Sequence, residues 1–290
     1  MRNNKFYLGA FLFVLAWTII PVMDGIAKHL SASLPVTQIV WARFLVIFII
    51  MLPVISILFI SKKREVLVSK NIKIQILRNI FIIIATFLFF YSISKISLTT
   101  TLALSFIYPL LVTLLSPTFL GEKVGIARWI AVLIGFGGTL LIIKPGFVDF
   151  ELATITALGA GFFYAMFIIS TRHLSFQDNP LTTLTLTGII GLLALSFPTF
   201  LFWKAPSQEE WLLLGAMGAV GAIGHLLIIL SHRLAQASLL APFSYFEIIT
   251  NTLIAFYVFS EFPDRVSWLG IFIIIGSGIY VSWRERKAEG

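Results

Sequence analysis

Two oppositely charged side chains stand inside long apolar stretches of the sequence. Arg43 lies in the run 35–60, and Glu247 lies near the middle of the run 238–260. An ionised side chain at the centre of a bilayer costs about 2.5–3.5 kcal/mol on insertion scales, so such a group is expected to be paired, hydrated or functional. Arg43 could bind a carboxylate and Glu247 a cation, so that together they would hold a zwitterion. The same two groups could instead form a permanent buried salt bridge.

Seven further polar or aromatic side chains in apolar runs could contribute to the same site. They are Trp17, Asp24, Tyr108, His225, Ser244, Tyr245 and Asn251. At helical spacing, Ser244, Glu247 and Asn251 fall on one face. Trp17 could provide a cation–π surface or could be packed in the core. We therefore predict a substrate-binding site formed by these seven residues together with the two charges.

Several of these residues also have simpler explanations. Asp24 and Lys28 are spaced to form an i,i+4 ion pair near a membrane surface. His225 and His232 share a helical face, but no third ligand stands at a suitable spacing, so no metal site is predicted. His225 is expected to hydrogen-bond or accept a proton in a cavity. The sequence contains no nucleophile–base arrangement, phosphate loop or cofactor motif, so we predict no catalytic residue and no cofactor.

The composition indicates an integral membrane protein. Of 290 residues, 59% are hydrophobic and only 12% are charged, with a mean hydropathy of +1.00, whereas a soluble domain carries about 25% charged residues. The apolar runs are too long for barrel strands, so helices are predicted. The chain has no cysteine, which excludes disulfides and thiolate chemistry. Because the net charge of +8 lies in short loops, we predict contact with a lipid bilayer and not with nucleic acid.

Ten membrane-spanning helices are predicted. The apolar runs cover residues 6–27, 35–60, 75–95, 99–119, 126–144, 153–172, 180–203, 209–231, 238–260 and 266–283. The first run lacks a small-residue cleavage site, so it is expected to be a span and not a removed signal peptide. With the N-terminus inside, fifteen basic residues fall on the cytoplasmic side and five on the other. Both termini are therefore predicted to be cytoplasmic.

The two halves of the chain resemble each other. A shift of 139 residues aligns several pairs without a gap, namely Ser105 with Ser244, Thr113 with Thr252, Glu122 with Glu261, and Trp129 with Trp268. Under this shift Tyr108 takes the position of Glu247. Five spans per half is an odd number, so the second half must enter the membrane upside down. We predict an all-α membrane protein of ten transmembrane helices, arranged as two inverted five-helix repeats, residues 1–145 and 146–290.

The repeat carries a motif that is similar to a known family. Leu120-Gly121-Glu122 and Ser260-Glu261-Phe262-Pro263 resemble the paired signature of the EamA branch of the drug/metabolite transporter superfamily. The resemblance covers essentially the whole chain. It implies a ten-helix, multi-pass carrier of small organic metabolites in the bacterial inner membrane, working by alternating access. Within the family, the stretch 241–247 looks most like carriers for S-adenosylmethionine uptake, which usually have an arginine where this chain has Ser244.

These observations predict a secondary transporter whose partner is a small polar or zwitterionic metabolite. The solute is expected to be amino-acid-like or nucleoside-like, and the resemblance includes S-adenosylmethionine. Transport could be coupled to a proton exchanged by Glu247 or to a counter-substrate, and the oligomeric state stays open. The alternatives are a lipid-modifying intramembrane enzyme, which would need convergent catalytic groups, and a non-transporting membrane scaffold, which would have an apolar centre.

Overall fold

The computed structural model describes residues 2–96, 98–143, 152–259 and 265–288. Within these ranges the chain forms twelve α-helices: α1 (Arg2–Leu30), α2 (Val36–Ile60), α3 (Ile72–Lys95), α4 (Leu98–Ser105), α5 (Tyr108–Leu120), α6 (Ile126–Ile143), α7 (Leu152–Leu174), α8 (Pro180–Leu201), α9 (Gln208–Leu234), α10 (Ala237–Leu240), α11 (Phe246–Phe259) and α12 (Arg265–Ala288). No strand occurs in the described part of the chain. The second copy of the sequence motif, residues 260–263, lies outside the described residues.

Six of these helices are long and apolar enough to cross a bilayer. Helices α1, α2, α3, α7, α8 and α9 contain apolar segments of 22 to 27 residues. At 1.5 Å per residue such segments are about 33–40 Å long, which exceeds a hydrocarbon core of about 30 Å. Shorter apolar helices occur at Tyr108–Leu120, Ile126–Leu141 and Trp268–Ser277. The chain is a multi-pass helical membrane protein.

Two of the predicted spans are interrupted. The span 99–119 divides into α4 and α5, and the span 238–260 begins with α10 and a 3-10 turn, Ala241–Tyr245, before α11. Each break has a proline close by, Pro109 or Pro242. Proline has no backbone N–H, so it cannot donate the hydrogen bond to the carbonyl four residues earlier that continues an α-helix. The sequence predicts a kink at Pro109, and this is confirmed. The other eight predicted spans each coincide with one helix, with ends that differ by no more than five residues.

The long helices pack in four pairs. Helix α1 packs against α9, α3 against α7, α2 against α8, and α6 against α12. The outer surface of this bundle is apolar, and Leu193, Phe197 and Phe200 are each at least 70% exposed. On a soluble protein such a surface would mark an interface, whereas here the lipid chains of the bilayer would cover it.

Glycines allow α9 to approach its neighbours closely. A Cβ atom on Gly218 would lie 2.4 Å from the Cβ of Val46 in α2, and one on Gly224 would lie 2.5 Å from the Cγ1 of Ile20 in α1. Gly215, one turn earlier, would meet nothing within 4 Å. The spacing of three between these glycines predicts close helix packing. The structure confirms it for Gly218 and Gly224.

Adding one methyl group to this contact should destabilise the bundle. Gly218→Ala forces α2 and α9 apart, and we expect a loss of roughly 1–3 kcal/mol, the usual range for an overpacked core. Gly215→Ala is the matched control on the same helix, where the better helix propensity of alanine should stabilise by up to about 1 kcal/mol. The thermal unfolding midpoint of the purified protein in detergent measures both. Equal shifts in the two variants would contradict the close packing at Gly218.

Candidate functional site

The bundle contains a cavity, with about 80 Å³ open to the centres of water molecules, between α1, α2, α3, α7 and α9 and the two broken helices. Its wall includes six of the nine predicted binding residues, namely Trp17, Asp24, Arg43, Tyr108, His225 and Glu247. All six are less than 9% exposed. Most of the remaining wall is apolar or aromatic. Charges in such a cavity are poorly screened, so each interacts strongly with a bound solute.

Arg43 is held in the cavity wall by two neutral partners. Its Nη1 donates to the hydroxyl of Thr86 at 2.5 Å, and its Nη2 hydrogen-bonds to Nε2 of His225. Arginine only donates, so Nε2 of His225 must accept, which assigns the imidazole proton to Nδ1. The Nε of Arg43 and the Nδ1 of His225 have no protein partner among the described residues. The pair therefore retains N–H donors that a carboxylate could accept from.

The two cavity carboxylates are not paired with Arg43. In the described part of the chain, neither Asp24 nor Glu247 comes within 4 Å of its guanidinium nitrogens. Lys28, the predicted partner of Asp24, instead donates from Nζ to the backbone carbonyls of Ile93 and Ile96 at 2.5 and 2.8 Å. The permanent Arg43–Glu247 salt bridge and the Asp24–Lys28 pair, both considered from the sequence, are thus not formed. The cavity wall therefore holds one guanidinium group and two carboxyl groups that form no ion pair with it.

Three aromatic rings form one side of the cavity. The ring centroid of Tyr108 lies 5.8 Å from that of Trp17 and 4.9 Å from that of Tyr164, and the Trp17 and Tyr164 centroids are 5.9 Å apart. Phe106 stacks on Tyr108 with an interplanar angle of 25°. The indole N–H of Trp17 and the hydroxyl of Tyr108 have no partner among the described residues. This wall can receive a flat ring or a cation while donating hydrogen bonds at its edge.

The other three predicted residues do not line the cavity. Ser244 donates to a carbonyl of its own 3-10 turn at 2.6 Å. The hydroxyl of Tyr245 donates to the carbonyl of Val132 in α6 at 3.1 Å. Asn251 donates to the carbonyl of Glu247 at 3.1 Å. The shared face predicted for Ser244 and Asn251 assumes a continuous α-helix, which the 3-10 turn Ala241–Tyr245 interrupts.

Three polar wall residues, Thr86, Ser105 and Tyr164, are absent from the predicted site. Thr86, the hydroxyl partner of Arg43, occupies the position of His225 under the shift of 139 residues, so the repeat contained a signal for it. Tyr164 has no such signal, because it is one tyrosine in the apolar helix α7. Only the packing of α7 against α3 brings its ring to Trp17 and Tyr108.

One end of the bundle is closed by a network around Glu122. Its carboxylate accepts hydrogen bonds from the backbone N–H groups of Ala237 and Ser238 at 3.0 and 3.1 Å, and from the Ser238 hydroxyl at 2.7 Å. It also forms an ion pair with Nε of Arg172 at 3.1 Å. Arg172 donates in turn to the backbone carbonyl of His232. These contacts join the ends of α5, α7 and α9 to the start of α10.

A buried cavity with charges of both signs, enclosed by membrane-spanning helices, is the architecture of a membrane transport protein. The sequence profile of the EamA-like transporter family matches residues 4–144 and 152–283. The chain belongs to this family.

Similar proteins include carriers of different solutes. The riboflavin transporter of Vibrio cholerae is 30% identical over 97% of this chain and 95% of its own length. The S-adenosylmethionine uptake transporter of Rickettsia bellii is 24% identical, covering 98% and 97% of the two chains. The pseudopaline exporter of Pseudomonas aeruginosa is 26% identical, covering 96% and 97%. A crystal structure with 16% identity superposes with a TM-score of 0.79 over 99% of this chain and 100% of that chain, so the fold is shared.

Removing the carboxylate of Glu122 should destabilise the closed end. Glu122→Ala leaves the Arg172 guanidinium buried without its partner, which costs about 3–5 kcal/mol for a buried pair. The double variant Glu122→Ala/Arg172→Met should recover much of this loss, while Lys123→Ala, at the exposed neighbouring position, should change little. Thermal unfolding in detergent gives the double-mutant cycle. Strict additivity of the two single losses would show that the pair contributes no coupling energy.

Proposed function

We propose that this protein is a secondary transporter for a small zwitterionic solute that carries a flat ring. One observation carries the proposal: Arg43, Asp24 and Glu247 line a single cavity, yet neither carboxylate pairs with the arginine. Buried charges without partners in a membrane protein are costly. A solute with a carboxylate and a cation would compensate both signs on binding, and the aromatic wall would receive its ring.

Alternating access between two inverted repeats, residues 1–145 and 146–290, is the proposed mechanism. The helix pairing supports it. In the two repeats α1 corresponds to α7, α2 to α8, α3 to α9 and α6 to α12. Exchanging the halves therefore converts the pair α1–α9 into the pair α7–α3 and leaves α2–α8 and α6–α12 unchanged. The helices that follow the two breaks begin at Tyr108 and Phe246, within one residue of the shift of 139. Discontinuous helices around a central site are typical of carriers built from inverted repeats.

The two ends of the bundle support the same mechanism. Lys28 donates to the carbonyl of Ile93 as Arg172 donates to that of His232. The shift of 139 residues takes Ile93 to His232, and Lys28-His29-Leu30 matches Arg172-His173-Leu174 in sequence. The distribution of basic residues favours the Arg172 end as the cytoplasmic one. At this end the Glu122 network links α5, α7, α9 and α10, so we propose that transport requires this network to open. The protein would lie in the bacterial inner membrane with both termini in the cytoplasm.

The charges of the cavity favour a zwitterion over a neutral ring compound. S-adenosylmethionine, the solute named for several relatives, has a carboxylate, an ammonium, a sulfonium and an adenine ring. Riboflavin, named for another relative, offers a flat ring without these charges. Arg43 with the His225 N–H would take the carboxylate, and Asp24 and Glu247 the cationic groups. Because charge burial dominates the energetics, we propose S-adenosylmethionine-like zwitterions as the substrate class.

Flux into proteoliposomes tests the function and the substrate class together. The panel is radiolabelled S-adenosylmethionine, tryptophan, adenosine and riboflavin, with protein-free liposomes as the background. We expect uptake of S-adenosylmethionine above the background and above that of riboflavin, because only the zwitterion compensates the cavity charges. Uptake of riboflavin alone would overturn the proposed substrate class. Absence of flux for the whole panel, in either loading direction, would count against the transport function.

Neutralising either sign of cavity charge should abolish transport without unfolding the protein. Arg43→Ala and Glu247→Gln each remove the protein partner of one charged group of the bound solute, so flux should fall at least about tenfold, as for losses above 1.4 kcal/mol. Glu209→Gln, at an exposed position of α9, is the matched control and should transport normally. Size-exclusion profiles and unfolding midpoints verify folding. Normal flux in both cavity variants would disprove the site.

A further inference from the structure

A second arginine lies deeper in the bundle than the cavity. Arg78 in α3 is fully buried, with 0% exposure. Its Nε donates to the hydroxyl of Thr171 and its Nη1 to that of Thr187, both at 2.8 Å. Its guanidinium carbon lies 4.5 Å from the centroid of the Phe167 ring. Its Nη2 has no partner in the described part of the chain.

The charge of Arg78 is not compensated by a carboxylate. Its hydrogen-bond acceptors are two threonine hydroxyls and the side-chain oxygen of Asn79 at 3.4 Å, all neutral. Asp178, one helical turn away through Gln75, already accepts hydrogen bonds from Gln75, the Ser69 hydroxyl and the backbone of Lys70. An uncompensated buried cation is far more costly than a buried pair. Threonine hydroxyls and one aromatic face offset only part of that cost.

Arg78 stands directly beyond the cavity. Ile82, one helical turn further along α3, lines the cavity wall. The Phe167 ring that contacts Arg78 also contacts Tyr164 and His225, whose ring centroids lie 5.4 and 5.6 Å from it. Phe167 therefore contacts two cavity-lining residues on one side and the Arg78 guanidinium on another. Arg172, the residue after Thr171 in α7, belongs to the Glu122 network at the end of the bundle.

We propose that Arg78 is a second binding site for the anionic group of the solute, occupied when the Arg172 end of the bundle opens. A carboxylate released by Arg43 would pass the Phe167 ring and accept from the unpartnered Nη2 of Arg78. The hydroxyls of Thr171 and Thr187 donate to the backbone carbonyls of Phe167 and Thr183 and accept from Arg78, so they hold the guanidinium in place. The proposal rests on the proposed function for the route of the solute. It extends that function by assigning two successive sites for the anionic group, Arg43 on the cavity side of Phe167 and Arg78 on the other side. The ligand class is a monoanionic carboxylate, or a sulfonate of similar size.

The absence of cysteine from the chain allows this site to be tested without knowing the solute. Thr187→Cys places one thiol beside Arg78 with nearly the same volume as the native side chain. The probes are two methanethiosulfonate reagents of similar size, the anionic sulfonatoethyl and the cationic trimethylammonioethyl compound. Labelling is followed in inside-out and right-side-out vesicles. Lys63→Cys, in an exposed loop, is the control for two quantities. It reports which face of the membrane each vesicle preparation exposes to the reagents. It also gives the ratio of anionic to cationic reaction rates for a thiol without a buried arginine nearby.

We expect Thr187→Cys to react from the face that Lys63→Cys identifies as cytoplasmic, with a preference for the anionic reagent. Adding Glu122→Gln, which weakens the closed network, should accelerate the reaction. Adding Arg78→Gln should lower the ratio of anionic to cationic rates by at least about tenfold, the effect of 1.4 kcal/mol, whereas Arg78→Lys should largely keep it. If Thr187→Cys does not fold, Thr171→Cys places the thiol on the other side of the guanidinium.

Two results would overturn the proposal. One is a thiol that reacts from neither face, with or without Glu122→Gln, because Arg78 would then be sealed in a purely structural contact. The other is a rate ratio that Arg78→Gln leaves unchanged. Both are independent of the flux panel. If flux is normal while either result is obtained, the Arg78 site is wrong and the transporter stands; if the anion preference is found without flux, the site stands and the transport function is wrong.

Discussion

The cost of placing charge in a medium of low dielectric constant governs the interior of this protein. Three arginines, Arg43, Arg78 and Arg172, are each at most 8% exposed, and each is satisfied differently. Arg172 has a carboxylate in direct contact, Arg78 has two hydroxyls and an aromatic face, and Arg43 has a hydroxyl and an imidazole. Only the first arrangement is complete, and it lies at the closed end. The incomplete ones lie at the cavity and directly beyond it.

This contrast separates contacts that hold the bundle together from contacts that are open to a solute. Glu122 accepts four hydrogen bonds from protein groups, so nothing is gained by exchanging them for another ligand. Trp17, His225 and Tyr108 retain unpaired polar atoms in the cavity wall. A fully satisfied polar network rigidifies the fold, whereas a partly satisfied one is unstable until something completes it. The cavity is therefore the place where binding energy can be generated.

Much of the fold could be predicted from the sequence, because hydropathy measures how readily a segment transfers from water into the apolar core of a bilayer. Span positions and the kink at Pro109 followed from local chemistry. The cavity membership of Arg43 and Glu247 followed from their burial cost. The 3-10 turn at Ala241–Tyr245 could not be predicted, because hydropathy does not reveal where an α-helix changes to a 3-10 helix. The His225 contact of Arg43 and the Tyr164 ring depended on long-range packing, which no periodicity encodes.

The broken helices have an electrostatic consequence. Each break starts a new helix beside the cavity, α5 at Tyr108 and α11 at Phe246, and a helix N-terminus carries a partial positive charge of roughly half an elementary charge. The first turn of α11 contains the acidic side chain of Glu247. In α5 the corresponding residue is Tyr108. Only the second half of the protein can therefore place a negative side-chain charge at the helix start that borders the cavity.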